Sequence, residues 1–209
     1  MFTDRRQAGR ELARALHRFT ERDPIVLALP RGGVPVGDEV ARALGADFDV
    51  LIVRKLGAPS NPEFAFGAVG EGGTVVIDDV TVRDLHLDGA TRDRIISAAS
   101  SEIDRRVDAY RHGRELPSLD GRTVIIVDDG LATGSTAAAG IEVVRSLGAA
   151  HIILAVPTGS AQAVNALRQR CDELVCLEQP PWFGSVGAQY ESFPQLSDAD
   201  VTLALQASQ

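Results

Sequence analysis

The chain has 209 residues, 44% hydrophobic and 24% charged, a globular composition that suits one domain of generous size or a domain with an appendage. Its formal net charge of −8 argues against broad electrostatic binding of nucleic acid or of an anionic membrane, while leaving room for a local basic pocket. The two cysteines lack the partner residues of a zinc site, no apolar run is long enough to span a bilayer, and the N-terminus has no apolar leader core, so a reduced, cytoplasmic setting is expected.

Residues Asp4 to Phe19 read as an amphipathic helix, with Ala8, Leu12, Ala15, Leu16 and Phe19 on one side. "IVLALP" (Ile25 to Pro30) is a short continuous apolar run, as expected for a strand covered on both faces. "RGG" and a helix from about Val34 to Leu44 follow. "FDVLIVRKLG" (Phe48 to Gly57) reads as a second strand running into a loop, and "FAFGAVGEGGTVVID" as a β-hairpin. A long helix is expected over Thr91 to His112, where Tyr110, Arg111 and, just beyond, Arg114 read as a helix end with dipole-matched cations. After a turn region come the strand "TVIIV", a helix over Ser135 to Leu147, the strand "HIILAVP", a helix over Ala161 to Gln169 and the strand "ELVCLE". The last thirty residues hold the only Trp among Pro and Gly, and end in a short helix over Asp198 to Ala207. Trp182, Phe183 and Tyr190 can stack on a flat ligand; for Phe183 and Tyr190, packing of this segment onto the core is the favoured reading.

Strands alternating with helices predict an α/β fold, a central mostly parallel sheet with helices on both faces. Ligands of such sheets bind beyond the carboxyl ends of the strands, which puts "PRGG", "RKLGAPSNPE" and "DDGLATGST" on one rim. The chain divides as a single domain: an N-terminal helix (1–20), a core (21–178) with a flexible hairpin lid at about 56–78, and a C-terminal hood segment (179–209).

The stretch "TVIIVDDGLATGST" (Thr123 to Thr136) carries the strongest chemical signal. A glycine-containing loop that opens a helix presents free backbone N–H groups and the positive end of the helix dipole, and Thr133, Ser135 and Thr136 add hydroxyl donors, which together suit a phosphate monoester. No lysine follows the glycine, so the P-loop pattern is absent, as is the dinucleotide fingerprint. Asp128 and Asp129 end the strand; ionised carboxylates only accept, which suits a vicinal diol with two O–H donors. By itself an Asp-Asp-Gly is a strand-ending turn with a helix cap. Between an apolar strand and a hydroxyl-rich helix start, it reads as a site for a sugar carrying a diol and a phosphate.

This motif resembles the 5-phosphoribosyl-1-pyrophosphate (PRPP) motif of the type I phosphoribosyltransferases: apolar residues, two acids, a short spacer and a T-G-small-T loop. The resemblance implies that Asp128 and Asp129 hold the ribose hydroxyls and that Ala132, Thr133, Gly134, Ser135 and Thr136 hold the 5′-phosphate. "LPRGGVP" is similar to the family's pyrophosphate loop, with Arg31 as the cation and Gly32 and Gly33 permitting unusual backbone dihedrals, a cis peptide among them. "VRKLGAPSNPEFAFGAVGEGG" would be the lid, with Lys55 and Arg54 at its base as catalytic cations for the leaving pyrophosphate; a role for Glu63 in ordering the lid is open. Trp182 would meet the acceptor. Mg²⁺ is implied as cofactor, held mainly by substrate and water with no direct protein ligand expected; contact through Asp128 or Asp129 is the alternative. The implied partners are PRPP and a small-molecule acceptor, with no nucleic acid and no membrane, and a homodimer is the candidate assembly. Family members acting on 6-oxopurines tend to carry an acid where this chain has Ala132, so a hypoxanthine or guanine acceptor is not expected. The expected activity is transfer of the phosphoribosyl group to a nitrogen acceptor. Two alternatives stand beside it, a non-catalytic PRPP or nucleotide sensor and a hydrolase or phosphotransferase on a phosphorylated sugar.

Overall fold

The computed structural model describes residues 1–59 and 61–207, without the side chain of Glu63. Its frame is a five-stranded sheet built from β1 (Ile25–Ala28), β2 (Asp47–Val50), β6 (Thr123–Val127), β7 (His151–Thr158) and β8 (Glu173–Glu178), in the order β2-β1-β6-β7-β8. Every pairing in it is parallel. The helices packed on it are α1 (Arg5–Leu16), which precedes β1, and the crossover helices α2 (Gly33–Leu44), α5 (Ser135–Ser146) and α6 (Ala161–Arg168). Parallel strands need such crossovers, and the helices they bring cover both faces.

Alternation along the strands sorts the core into two layers. Ile25, Leu27, Val124, Ile126, Ile152 and Leu154 pack with Ala137, Ile141 and Val144 of α5 and Val164 and Leu167 of α6. Val26, Ile125, Val127, Ile153 and Ala155 face the other way, onto Leu12 and Leu16 of α1 and Val36 and Val40 of α2. Both layers are dry, which is why these strands read as continuous apolar runs rather than alternating ones.

The expected single strand over Phe48 to Gly57 is two. β2 ends at Val50 in the parallel sheet, and β3 (Val53–Ala58) starts a separate antiparallel sheet with β4 (Asn61–Gly70) and β5 (Val75–Ile77), in the order β3-β4-β5. Leu51 and Ile52 between them are fully buried, so the apolar run continues unbroken through the change of sheet. The expected hairpin is present as β4 and β5, and β3 adds the third strand. This small sheet forms a third core with helices α4 (Gly89–Arg111) and α7 (Asp198–Ala207), in which Leu56, Phe66 and Val69 are fully buried. A short α3 (Asp79–Asp84) precedes α4. Among the described residues, no helix is long and apolar enough to cross a membrane.

Candidate active site at the rim of the parallel sheet

The carboxyl ends of β1 and β6 bring "PRGG" and "DDGLATGST" side by side. Leu29 N–H donates to Val127 O at 2.8 Å, continuing the ladder one residue past β1. The Pro30–Arg31 peptide bond is cis, and Gly33 N–H donates back to Leu29 O at 3.0 Å as α2 begins. The two glycines are needed for a reason other than unusual dihedrals. Gly32 caps α2 at φ −60°, an ordinary helical value. A Cβ on it would lie 2.2 Å from Asp129 Oδ2, and one on Gly33 would lie 2.5 Å from Val127 O. The loop is pressed against the end of β6, and only hydrogen side chains fit between them.

Gly134 does carry the left-handed conformation, at φ +74°, and a Cβ there would also meet Leu167 Cδ1 at 2.7 Å. It turns the chain into α5, so the first-turn N–H groups open toward the loop. Ala132, Thr133 and Thr136 are exposed and Ser135 is half-buried. Thr133 Oγ1 and Ser135 Oγ stand 3.1 Å apart, two hydroxyls at the head of the helix. Ser160, which caps α6, ties the loop down by donating its hydroxyl to Ala132 O at 2.8 Å.

Lys55 reaches this loop from β3, its ammonium 3.4 Å from Ser135 Oγ. Lys55 is half-buried, whereas Arg54, one residue earlier on the same strand, is exposed. Neighbouring side chains on a strand point to opposite faces, so the strand delivers one of the two cations to the loop, not both. A cleft of about 940 Å³ runs from here between the small sheet and α5, lined by Lys55, Thr133, Ser135, Phe64, Asp78 and Glu142 among others. Asp128, Asp129, Arg31 and Trp182 do not line it.

The two carboxylates have different surroundings. Asp129 is buried at 9% exposure, and its Oδ2 accepts from Arg5 Nε at 2.8 Å. Its backbone oxygen accepts from the Tyr190 hydroxyl at 2.6 Å. Asp128 is half-buried, and its Oδ1 accepts from the Asp129 N–H at 2.9 Å. Burial and the adjacent Asp129 charge push the Asp128 carboxyl well above the usual carboxylate range. Burial also raises Asp129, against the pull of the Arg5 guanidinium.

Arg31 is exposed and leans toward α7, its guanidinium 3.9 Å from Asp198 Oδ1. Trp182 is 91% exposed, while Tyr190 packs against Phe2 and Phe193. The side chain of Glu63 lies outside the described residues. Two participants escaped sequence reading. Arg5 sits in a charged N-terminal run that looks solvated, and Ser160 looks like a helix cap and nothing more. Arg111 is neither a surface cation nor near the loop: it is buried, with Asp49 and Glu71 as partners.

A parallel α/β sheet with an acidic pair and a hydroxyl-bearing loop at the head of a helix on one rim has the make-up of a phosphoribosyltransferase-type domain. The chain belongs to that family: the phosphoribosyl transferase domain model matches residues 2–191. It is 47% identical over 205 residues to a provisionally named phosphoribosyl transferase, Rv0571c, of Mycobacterium tuberculosis strain H37Rv, covering 98% of this chain and 46% of that protein. The chain therefore spans about half the length of the curated relative it matches. The crystal structure of TT1426 from Thermus thermophilus superposes with a TM-score of 0.93 at 44% identity, over 99% of this chain and 98% of that one.

Proposed function

We propose that this domain transfers the 5-phosphoribosyl group of PRPP to a small nitrogen acceptor and releases pyrophosphate, in a cytoplasmic setting. The observation that carries the reading is the meeting of Lys55 with Ser135 at 3.4 Å: a cation from a separate sheet reaches the hydroxyl loop at the head of α5. In this reading the 5′-phosphate lies on the loop 132–136, held by backbone N–H groups, by the hydroxyls of Thr133, Ser135 and Thr136, and by the α5 dipole. The acidic rim pair takes the ribose hydroxyls. The "PRGG" turn and Arg31 receive the diphosphate. Lys55 stabilises charge as the leaving group departs, with Arg54 on the exposed face of the same strand, and the lid segment of about 56–78 shields the centre from water. Trp182 lies on the hood segment and is fully available to an incoming acceptor.

The donor set fits a metal that arrives on its substrate. Among the described residues, no three His, Cys, Asp or Glu side chains gather with metal-binding geometry. Asp129 is already engaged by Arg5. Mg²⁺ would be held mainly by its substrate and water, with Asp128 as the candidate rim carboxylate. It would neutralise the diphosphate charge. The chain's own groups bind, orient and exclude water, which is what a dissociative transfer needs.

The test is pyrophosphate release from PRPP and Mg²⁺ with purines, pyrimidines and simple amines offered in turn. Release that depends on one acceptor class supports transfer. Release without any acceptor would make the domain a hydrolase. PRPP binding with no release would make it a sensor.

A further inference from the structure

The cleft beside α5 meets only one part of the proposed donor site. Lys55, Thr133, Gly134 and Ser135 line it, whereas Asp128, Asp129, Arg31 and Trp182 do not. The groups read as holding the diol, the diphosphate and the acceptor therefore lie off the cleft, which opens from the phosphate loop and Lys55. Its volume of about 940 Å³ is far more than one phosphate needs and stands at the upper end for small-molecule sites, roughly 300–1,000 Å³.

One face of α5 runs along the cleft. Ser135, Ala138, Ala139, Glu142 and Arg145 recur at helical spacing and all line it, so it leads away from the loop for about 15 Å. The two alanines leave room just past Ser135. The small sheet contributes Val76, Ile77 and Phe64, the one aromatic ring among the described lining residues. Phe64 is 50% exposed, and an aromatic face half in water beside small apolar side chains suits the stacking of a flat group. The far end is polar: Arg145 donates to Arg170 O at 2.7 Å, and the Arg170 guanidinium stands 3.8 Å from Glu142 Oε1. The ionised side chains around the cleft balance, Lys55, Arg145 and Arg170 against Asp78, Glu142 and Asp172. Such a balance does not attract a polyanion; it suits a neutral group with hydrogen-bonding edges, tethered to a phosphate at the Lys55 end.

We propose that the cleft takes a group esterified to the 5′-phosphate, so that the domain binds ribose 5-phosphates extended on the phosphate side, with nucleoside diphosphate-riboses as the class of ligand. The phosphate nearest the sugar lies on the loop 132–136, Lys55 faces the linkage to the second phosphate, and the nucleoside base stacks on Phe64. This rests on the phosphoribosyl reading above and extends it: a simple monoester occupies the loop and leaves the cleft unused.

Titration calorimetry with PRPP and Mg²⁺, ribose 5-phosphate, ADP-ribose and AMP tests the assignment. ADP-ribose carries its adenosine beyond the 5′-phosphate, whereas AMP carries adenine on the anomeric carbon. ADP-ribose is expected to bind about tenfold more tightly than ribose 5-phosphate, the size of one good stacking contact. Ala138→Phe, which fills the cleft beside α5, and Phe64→Ala, which removes the ring, are each expected to abolish that gain, and Ala138→Phe to leave AMP affinity unchanged. The Phe64 side chain stands half in water, so Phe64→Ala carries the test if Ala138→Phe does not fold. A gain that survives either folded variant overturns the proposal, because the adenosine then lies elsewhere. A wild type that binds PRPP and ribose 5-phosphate but ADP-ribose no more tightly overturns the cleft assignment alone and leaves the phosphoribosyl reading standing. A wild type that binds neither PRPP nor ribose 5-phosphate overturns both.

Discussion

Arg111 and Glu71 form a buried ion pair that joins the last residue of α4 to the turn between β4 and β5. One guanidinium nitrogen meets Glu71 Oε2, and the other donates to Glu71 Oε1 at 3.1 Å. Arg111 Nε reaches Asp49 Oδ1 at 2.8 Å, at the end of β2. The Glu71 carboxylate also accepts from Ile52 N–H at 3.2 Å, where the chain leaves one sheet for the other. One arginine therefore locks the small sheet, and with it Lys55, to the parallel sheet. Arg111→Met strands two buried carboxylates, and a loss of about 3–5 kcal/mol is expected in urea unfolding. An Arg111→Met protein with unchanged stability would show that the small sheet is held by its apolar core alone.

Lys55 stands on the small sheet but acts, in this account, at the loop of the large one. Lys55→Met is expected to lower kcat by roughly 10²–10³-fold, the usual cost of removing one group that stabilises transition-state charge, with a smaller change in KM for PRPP. Arg54→Met, on the exposed face of the same strand, is expected to cost less. Steady-state kinetics on the two variants compares them directly, and equal losses would contradict the single delivery seen at the loop.

Gly32 has no room for a side chain. Gly32→Ala puts a methyl group against the Asp129 carboxylate, so either the turn or the Arg5–Asp129 pair must shift. Overpacking of this kind costs about 1–3 kcal/mol, and thermal unfolding is the measurement. Gly45, whose Cβ would meet nothing within 4 Å, has a positive φ of 61° and provides the contrast: alanine there strains the backbone alone.

Tyr110 gives the fold an alkaline limit. Its hydroxyl donates to Asp198 Oδ1 at 2.7 Å, and burial, reinforced by that bond, pushes its pKa up to about 12. The folded state thus holds the proton more tightly than the unfolded chain, whose tyrosine titrates near 10. The stabilisation is complete below pH 10 and is lost as pH rises from there through about 12. Tyr110→Phe should remove this contribution, so wild type and variant should converge in stability across that window in denaturant titrations. Tyr190, buried beside Asp129, is shifted upward as well and contributes in the same direction.

The parts legible in sequence are those whose cause is local. The end of the β6 strand, the hydroxyl loop and α5 follow one another in the chain, and a buried parallel strand announces itself as an apolar run. The break between β2 and β3 has no such signal, because Leu51 and Ile52 are as buried as the strands they separate. Arg111 reads as a helix-end cation because its partners Asp49 and Glu71 lie 62 and 40 positions away. Arg5 is hidden for the same reason, 124 positions from Asp129. The glycines of "PRGG" are recognisable as necessary, but through backbone freedom, whereas the cause is contact with a strand far along the chain. Trp182 illustrates the reverse: an aromatic residue in a hood segment suggests packing or stacking, and it stands in solvent.

In the proposed reaction the rim binds PRPP and breaks its bond to pyrophosphate. The most direct measurement is pyrophosphate release from PRPP with Mg²⁺ across an acceptor panel, run on wild type and on Asp128→Asn. Acceptor-dependent release by the wild type is expected, with a loss of at least about tenfold in kcat/KM for the variant. No release with any acceptor, or release unchanged by Asp128→Asn, would contradict it.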